Sequence, residues 1–295
     1  MKVLITGAHG LVGSHLTDQL GYSHEVLALG RTELDITNAE QVFAFVEKEQ
    51  PDLIINCAVL GVDECESDPD KAQAVYVRGP SNLAQAAAEI GAEIVHFSTN
   101  YVFDGKRETG YYTIDDEPKA INVYGQTKLE GERAVQAACE RSFIVRTSWV
   151  FGKGKNSFLS SVADSLKAGR KISAITDMWA STTFVNDLVE RVGEIINRKH
   201  YNVYHVVNSG ICSYYEYAVE GDKILGISQS TADELIEPIM ASSAKRLAPR
   251  PRYTPMYCKL SEQIGLAPMR SWQTALRTHL VEAMPESGET AYGFA

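Results

Sequence analysis

Apolar residues along the first two-thirds of the chain fall into two alternating patterns. Short runs rich in Val, Ile and Leu read as strands: Val3–Thr6, Glu25–Leu29, Leu53–Cys57, Ile94–Ser98, Phe143–Ser148, Ile172–Ile175 and Asn202–Val207. Between them lie stretches with one apolar and one polar face, which read as helices: Leu11–Leu20, Ala39–Glu49, Asp70–Ile90, Val123–Ala138 and Asn186–Asn197. Several strands are apolar at every position, as when helices cover both faces of a sheet. The alternation predicts an α/β fold, a doubly wound parallel sheet of Rossmann type. It lapses after Gly152, where a further helix-like stretch, Ser157–Lys167, follows. It lapses again after Asn208, where Pro238, Pro249, Pro251, Pro255 and Pro268 gather. The chain therefore divides into a dinucleotide-binding unit, 1–152 with 171–208, and a smaller substrate-binding lobe, 153–170 with 209–295.

The first strand runs into Gly7-Ala8-His9-Gly10-Leu11-Val12-Gly13, which opens the first helix. Glycines at this spacing allow a tight turn, close approach of a pyrophosphate to the backbone, and close helix–strand packing. The helix N-terminus then turns its free N–H groups on the anion. The segment predicts a dinucleotide site built on Gly7, His9, Gly10, Leu11, Val12 and Gly13. At the end of the second strand, where an acidic residue would bind the ribose of NAD(H), stands Arg31. A guanidinium there suits a 2′-phosphate, so NADP(H) is the expected cofactor with NAD(H) as the alternative; a solvated surface arginine is the plainer reading. Asp35 and Ile36 follow and could border the adenine, although Asp35 also suits a turn or helix entry. Cys57, Ala58 and Val59, small residues leaving the third strand, let the backbone meet the cofactor.

Tyr124 and Lys128 lie four apart in a helical stretch and so share a face. A lone tyrosine, with a pKa near 10, exchanges protons poorly at neutral pH. A neighbouring ammonium favours phenolate and is expected to lower that value. Such pairs recur by chance; Ser98 and Thr99 at the end of the preceding strand add a hydroxyl able to hold a carbonyl oxygen. Hydride site, proton donor and orienting hydroxyl are the three parts a carbonyl reduction needs.

Three segments, Phe97–Gly105, Asn122–Glu132 and Arg146–Gly152, together with Arg250-Pro251-Arg252-Tyr253 and Ser271-Trp272, carry a resemblance to a known family over nearly the whole chain. The sequence resembles the dTDP-4-dehydrorhamnose reductases, within the extended short-chain dehydrogenases/reductases. The resemblance implies NADPH-dependent reduction of the C4 keto group of a nucleotide-activated deoxysugar, dTDP-4-dehydro-L-rhamnose to dTDP-L-rhamnose. It implies Tyr124 as proton donor, Lys128 as its activator and ribose clamp, and Thr99 as carbonyl partner. Val62, Asn100, Tyr101 and Trp149 would line the sugar pocket. The sequence departs from the family in having Asn100 for its usual aspartate, Tyr76 for its usual asparagine, and Asp177–Thr183 in place of Asp-Gln-x-Gly-x-Pro-Thr. Two other readings keep the same fold: a nucleotide-sugar epimerase or dehydratase, and a non-catalytic NADP-binding subunit similar to the β subunit of methionine adenosyltransferase.

Composition narrows the partners. A net charge of −10 gives no electrostatic case for nucleic acid or an anionic membrane, and no apolar run is long enough to span a bilayer. The N-terminus enters a strand directly, with no signal-peptide pattern. The five cysteines are scattered, without Cys-x-x-Cys spacing, and no His-x-x-x-His pair occurs, so reduced thiols, a cytoplasmic setting and no metal are expected. A nucleotide-sugar substrate is the expected partner, and the sequence leaves room for a homodimer.

Overall fold

The structure, a computed structural model, describes residues 1–154, 157–226 and 234–282. The parts of the lobe assignment at 155–156, 227–233 and 283–295 lie outside them. The first half of the chain is a succession of β1 (Lys2–Thr6), α1 (Leu11–Gly21), β2 (Glu25–Leu29), α2 (Ala39–Glu49) and β3 (Leu53–Asn56). Then come α3 (Val62–Ser67), α4 (Pro69–Gln73), a π-helical turn (Ala74–Arg78), α5 (Gly79–Ile90), β4 (Glu93–Thr99), α6 (Val123–Ala138) and β5 (Ser142–Thr147). The helix expected over Asp70–Ile90 is thus one rod interrupted by a π turn. The second half adds β6 (Val150–Phe151), α7 (Phe158–Lys167), β7 (Ile172–Ile175), β8 (Trp179–Ala180), β9 (Thr183–Phe184), α8 (Val185–Arg198), β10 (Val203–His205), β11 (Cys212–Ser213), α9 (Tyr214–Leu225), β12 (Ile236–Ile239) and β13 (Tyr253–Thr254). Two helices, Lys259–Gln263 and Trp272–Glu282, follow.

Six strands form one parallel sheet in the order β10-β5-β4-β3-β1-β2. Alternation along β1 explains its two covered faces. Val3 and Ile5 point into a core shared with Leu16 on α1 and Leu188 and Val192 on α8. Leu4 points the other way, towards Val42, Val46, Leu83 and Val135 on α2, α5 and α6. The strand order turns back between β1 and β3, and in such sheets ligands sit at the carboxyl ends of the strands at that point.

The strand Ile172–Ile175, grouped from sequence with the dinucleotide-binding unit, does not join this sheet. It pairs in parallel with β12, in a register of Ile172 against Ile236. The β-branched run is a strand, but its partner arrives more than sixty residues later, from the proline-rich part of the chain. A separate core gathers around these pieces: Leu159, Val162 and Leu166 of α7 pack with Ala174, Tyr217, Ile236, Trp272 and Leu276. This second core stands beside the carboxyl ends of the large sheet and walls one side of the crevice described next.

Candidate active site

The crevice begins at the turn after β1. Gly7 has φ of +67°, and a Cβ there would fall 2.6 Å from the backbone carbonyl of Cys57 on the neighbouring strand. A Cβ on Gly13 would fall 2.4 Å from the Gly7 oxygen. Both glycines are therefore required for the turn to lie against β3 and for α1 to start where it does. Gly10 is the N-cap of α1 and brings no side chain to its first turn, which contains no acidic residue. The start of that helix is left as an amide-lined cradle suited to a pyrophosphate.

From this cradle the crevice extends both ways. One arm, of about 220 Å³, is lined by Gly7, Arg31, Leu34, Asp35, Ile36 and Thr37. The other, of about 520 Å³, reaches Leu11, Val12, Gly13, Val62, Thr99, Asn100, Tyr101, Tyr124, Lys128 and Trp149. His9, Gly10, Cys57, Ala58 and Val59 line both arms, which makes them one continuous groove. Every residue singled out from sequence as a site candidate faces this groove. In the smaller arm the Arg31 side chain is 71% exposed and stands 3.7 Å from Asp35, a loose pair that leaves the guanidinium free to turn. Asp35 serves first as a turn residue: one carboxylate oxygen accepts from the Thr37 backbone N–H at 3.0 Å and from its hydroxyl at 2.7 Å. Those bonds, with Arg31 beyond, hold its carboxyl below the usual range.

In the larger arm, α6 carries the tyrosine and the lysine. Asn122 caps the helix through the Gly125 N–H at 2.7 Å, and its own amide donates to the Pro249 carbonyl. A Cβ on Gly125 would fall 2.1 Å from the Tyr101 carbonyl, so α6 approaches the segment after β4 too closely for any side chain there. The Tyr124 ring is held edge-to-face by Tyr76 at 5.6 Å and by Tyr101 at 5.7 Å. Burial pushes the Tyr124 phenol up to about 12, partly offset by a hydrogen bond with the Thr99 hydroxyl. Lys128 is brought down to about 8, again by burial, and its Nζ donates to the Phe97 carbonyl at 2.9 Å.

These values correct the electrostatics expected from sequence. The phenol does not fall below its ordinary value; desolvation dominates for both groups and moves both towards their neutral forms. The phenol consequently stays protonated across the neutral range, the state a proton donor needs.

Asn100 is buried at the end of β4. Its amide donates to the Thr254 hydroxyl at 2.6 Å, while its oxygen lies 3.2 Å from the Thr99 hydroxyl. The Thr99 oxygen also accepts from the Tyr101 N–H. An amide serves both contacts without placing a charge beside the reacting groups. Beneath this layer Ser98 donates to the Glu132 carboxylate, which Arg146 grips through two bonds of 2.9 and 2.7 Å. That buried cluster ties β4, α6 and β5 together one helical turn below Lys128.

Several groove residues are not visible as candidates in the sequence. Tyr214 lies tilted against Trp149 at 4.0 Å between ring centres, and Phe158 meets Tyr214 edge-on at 5.3 Å. Trp149 holds this place with φ of +44°, unusual for a bulky side chain. Phe158 and Tyr214 are the first residues of α7 and α9, directly after the serine caps Ser157 and Ser213. The caps are legible, but nothing local shows that the two helices start against one another, with Trp149 beside the second. Above them Arg250 binds Asp63 in a fork at 2.8 and 3.0 Å, and Asp63 also accepts the Ala248 N–H. Arg250 holds the Asp63 carboxyl down at about 2. Among the described residues no cluster of histidine, cysteine and carboxylate has the arrangement of a metal site, and no helix is long and apolar enough to cross a membrane.

Known proteins are similar to this chain over nearly its whole length. The sequence profile of the RmlD substrate binding domain matches residues 1–284. The dTDP-4-dehydrorhamnose reductase of Mycolicibacterium smegmatis is 38% identical over 280 residues, covering 94% of this chain and 84% of the relative. A crystal structure of a dTDP-4-dehydrorhamnose reductase from Clostridium acetobutylicum superposes with a TM-score of 0.89 at 36% identity, over 96% of this chain and 99% of that one. The reductase of Bacillus anthracis, solved in complex with NADP, gives a TM-score of 0.89 at 33% identity, over 95% of this chain and 99% of the other. With both profile and relatives running almost from end to end, the chain belongs to the dTDP-4-dehydrorhamnose reductase family.

Proposed function

We propose that this protein reduces the C4 keto group of a nucleotide-activated deoxysugar with NADPH, converting dTDP-4-dehydro-L-rhamnose to dTDP-L-rhamnose. The observation that carries the reading is the meeting of Thr99, Tyr124 and Lys128 in one groove with the glycine turn. The groove fits the cofactor: Gly7 and Gly13 let the turn lie against β3 and α1 start beside it, and Arg31 stands largely exposed at the arm where a 2′-phosphate would lie. Gly7, His9, Gly10, Leu11, Val12 and Gly13 would hold the diphosphate and its surroundings. Arg31, Asp35 and Ile36 would border the adenosine end, and Cys57, Ala58 and Val59 the middle. NADPH, when bound, supplies the hydride; with Arg31 in that place it is favoured over NADH.

The chain's own residues then handle the oxygen and its proton. Thr99 orients the keto oxygen by a hydrogen bond. As charge grows on that oxygen it becomes a far stronger base than phenolate, and Tyr124 transfers its proton to it. Lys128, charged below about pH 8, holds the nicotinamide ribose and favours the phenolate left behind. Asn100, Tyr101, Val62 and Trp149 shape the sugar pocket, with Tyr214 and Phe158 extending its aromatic wall. The dinucleotide unit is best drawn as 1–152 with the α8–β10 segment, and the lobe as the pieces around α7, β7, α9 and β12. The cytoplasm, where nucleotide sugars are made, is the setting this chemistry implies.

The test is to incubate purified protein with NADPH and dTDP-4-dehydro-L-rhamnose, following nicotinamide absorbance and product by mass spectrometry. Stoichiometric NADPH oxidation with formation of the 4-hydroxyl sugar is expected. Sugar turnover without net cofactor consumption would replace the reading with an epimerase, and no turnover across a panel of 4-keto sugars would replace it with a binding subunit.

A further inference from the structure

Tyr76 is fully buried and takes no part in the groove wall, yet it touches the pair on α6 directly. Lys128 Nζ stands 4.1 Å from the centre of its ring, over the face. The same ring meets Tyr124 at 5.6 Å with an interplanar angle of 76°. Its hydroxyl donates to the Leu60 carbonyl at 2.8 Å and accepts the Leu60 N–H at 2.6 Å, fixing it to the loop after β3. The backbone is shaped to put the ring there. Tyr76 is the central residue of the π-helical turn, and a Cβ on Gly131 of α6 would fall 2.0 Å from the Tyr76 carbonyl. A widened turn and a glycine notch thus seat the ring beneath Lys128, in the kind of helical insertion that gathers at functional sites.

An ammonium removed from water needs partners for its three protons. Phe97 accepts one. The charged and titratable groups that face Lys128 are Glu132 on its own helix, Tyr124 beside it, Cys57 after β3, Cys65 on α3 and His96 on β4. Burial keeps Cys57 and Cys65 as thiols and His96 neutral, while the carboxylate of Glu132 is already bound by Arg146 and Ser98. The negative face of the Tyr76 ring is the close partner that remains, and cation–π attraction strengthens when both members are desolvated.

We propose that Tyr76 is a positioning residue for Lys128, its π face holding the ammonium charged and aimed alongside Tyr124 while its hydroxyl pins the loop that borders the cofactor arm. The proposal rests on the roles given above to Tyr124 and Lys128.

The experiment uses the full chain carrying tyrosine, phenylalanine or trifluorophenylalanine at position 76, rings of nearly one shape whose faces differ in negative potential. Two readouts are taken on each protein: the pH profile of kcat with NADPH and dTDP-4-dehydro-L-rhamnose, and the titration of Lys128 by NMR of labelled lysine, which needs no turnover. Tyr76→Phe should leave the alkaline limb and the Lys128 midpoint in place. Tyr76→trifluorophenylalanine should move both downwards by about one pH unit, a tenfold loss of proton affinity. A midpoint unmoved by fluorination, or one moved equally by Tyr76→Phe, overturns the proposal. A midpoint shifted by fluorination, in a protein whose wild-type form turns over no keto sugar, upholds the hold on Lys128 and overturns the reductase reading alone.

Discussion

Replacing Glu132 by glutamine would keep the side chain's shape while removing its charge from the middle of the protein. Glu132 and Arg146 are 2% and 5% exposed, and the guanidinium makes both of its parallel bonds to this one carboxylate. In Glu132→Gln one oxygen becomes an NH2 group aimed at a guanidinium N–H, and at the Ser98 hydroxyl as well if it replaces Oε1. Arg146 is left charged and half-paired in the core. Removing one partner of a buried ion pair costs about 3–5 kcal/mol. At about 2–4 °C per kcal/mol for chains of roughly this length, the melting temperature should fall by about 6–20 °C. Urea denaturation followed by circular dichroism, with reversibility checked, gives the free energy directly. The paired replacement Glu132→Leu with Arg146→Met removes both charges and should recover most of the loss. A Glu132→Gln protein within about 1 kcal/mol of wild type would refute the view that this pair is held in place by mutual need.

Three further outcomes follow from the same geometry. Tyr124→Phe should retain NADPH affinity in fluorescence titration while kcat falls by roughly 10²–10⁴-fold, since only the transferable proton is removed; near-normal kcat would take the proton from another group. Arg31→Ala should raise the Kd for NADPH at least tenfold more than that for NADH, in line with the loss of one charged phosphate contact, and equal changes would place the 2′-phosphate elsewhere. His205 is buried against Phe103 and near Arg146, and burial with that neighbour brings it down to about 3. Its unfolded form gains a proton near pH 6.5, so its contribution to stability is present above that value and is lost as pH falls towards 3. His205→Phe should therefore flatten the urea-midpoint profile between about pH 6 and 4, and a parallel profile would exclude the histidine as its source.

The large sheet was legible because its strands carry their own signature: mostly apolar runs rich in Val, Ile and Leu, spaced by amphipathic helices. The groove was legible for a related reason, since Gly7–Gly13, Thr99 and the Tyr124–Lys128 pair each occupy the carboxyl end of a strand or the first turns of a helix. What escaped the sequence depends on distant partners. The run Ile172–Ile175 is plainly a strand, but only the fold shows that Ile236–Ile239 claims it. The helical rhythm of Asp70–Ile90 hides the π turn at Ala74–Arg78, because one inserted residue barely disturbs the apolar stripe. Tyr214 and Phe158 begin helices far apart in sequence and meet only in the folded chain, edge-on, with Trp149 on the other side of Tyr214. The effect of Lys128 on Tyr124 was misjudged because proximity is visible in a four-residue spacing whereas burial of both groups is not.

The fork between Arg250 and Asp63 has a consequence for how the polypeptide becomes whole. The two residues are 187 positions apart, so the bond closes a loop containing most of the molecule. Asp63 stands in the first turn of α3, and α4 separates that helix from the π turn that seats Tyr76. A polypeptide ending short of Arg250 would keep every strand of the large sheet yet leave that carboxylate without its cation. The returning tail therefore braces α3, whose first residue, Val62, lines the groove, and that wall gains its cation only once the chain has been made past residue 250.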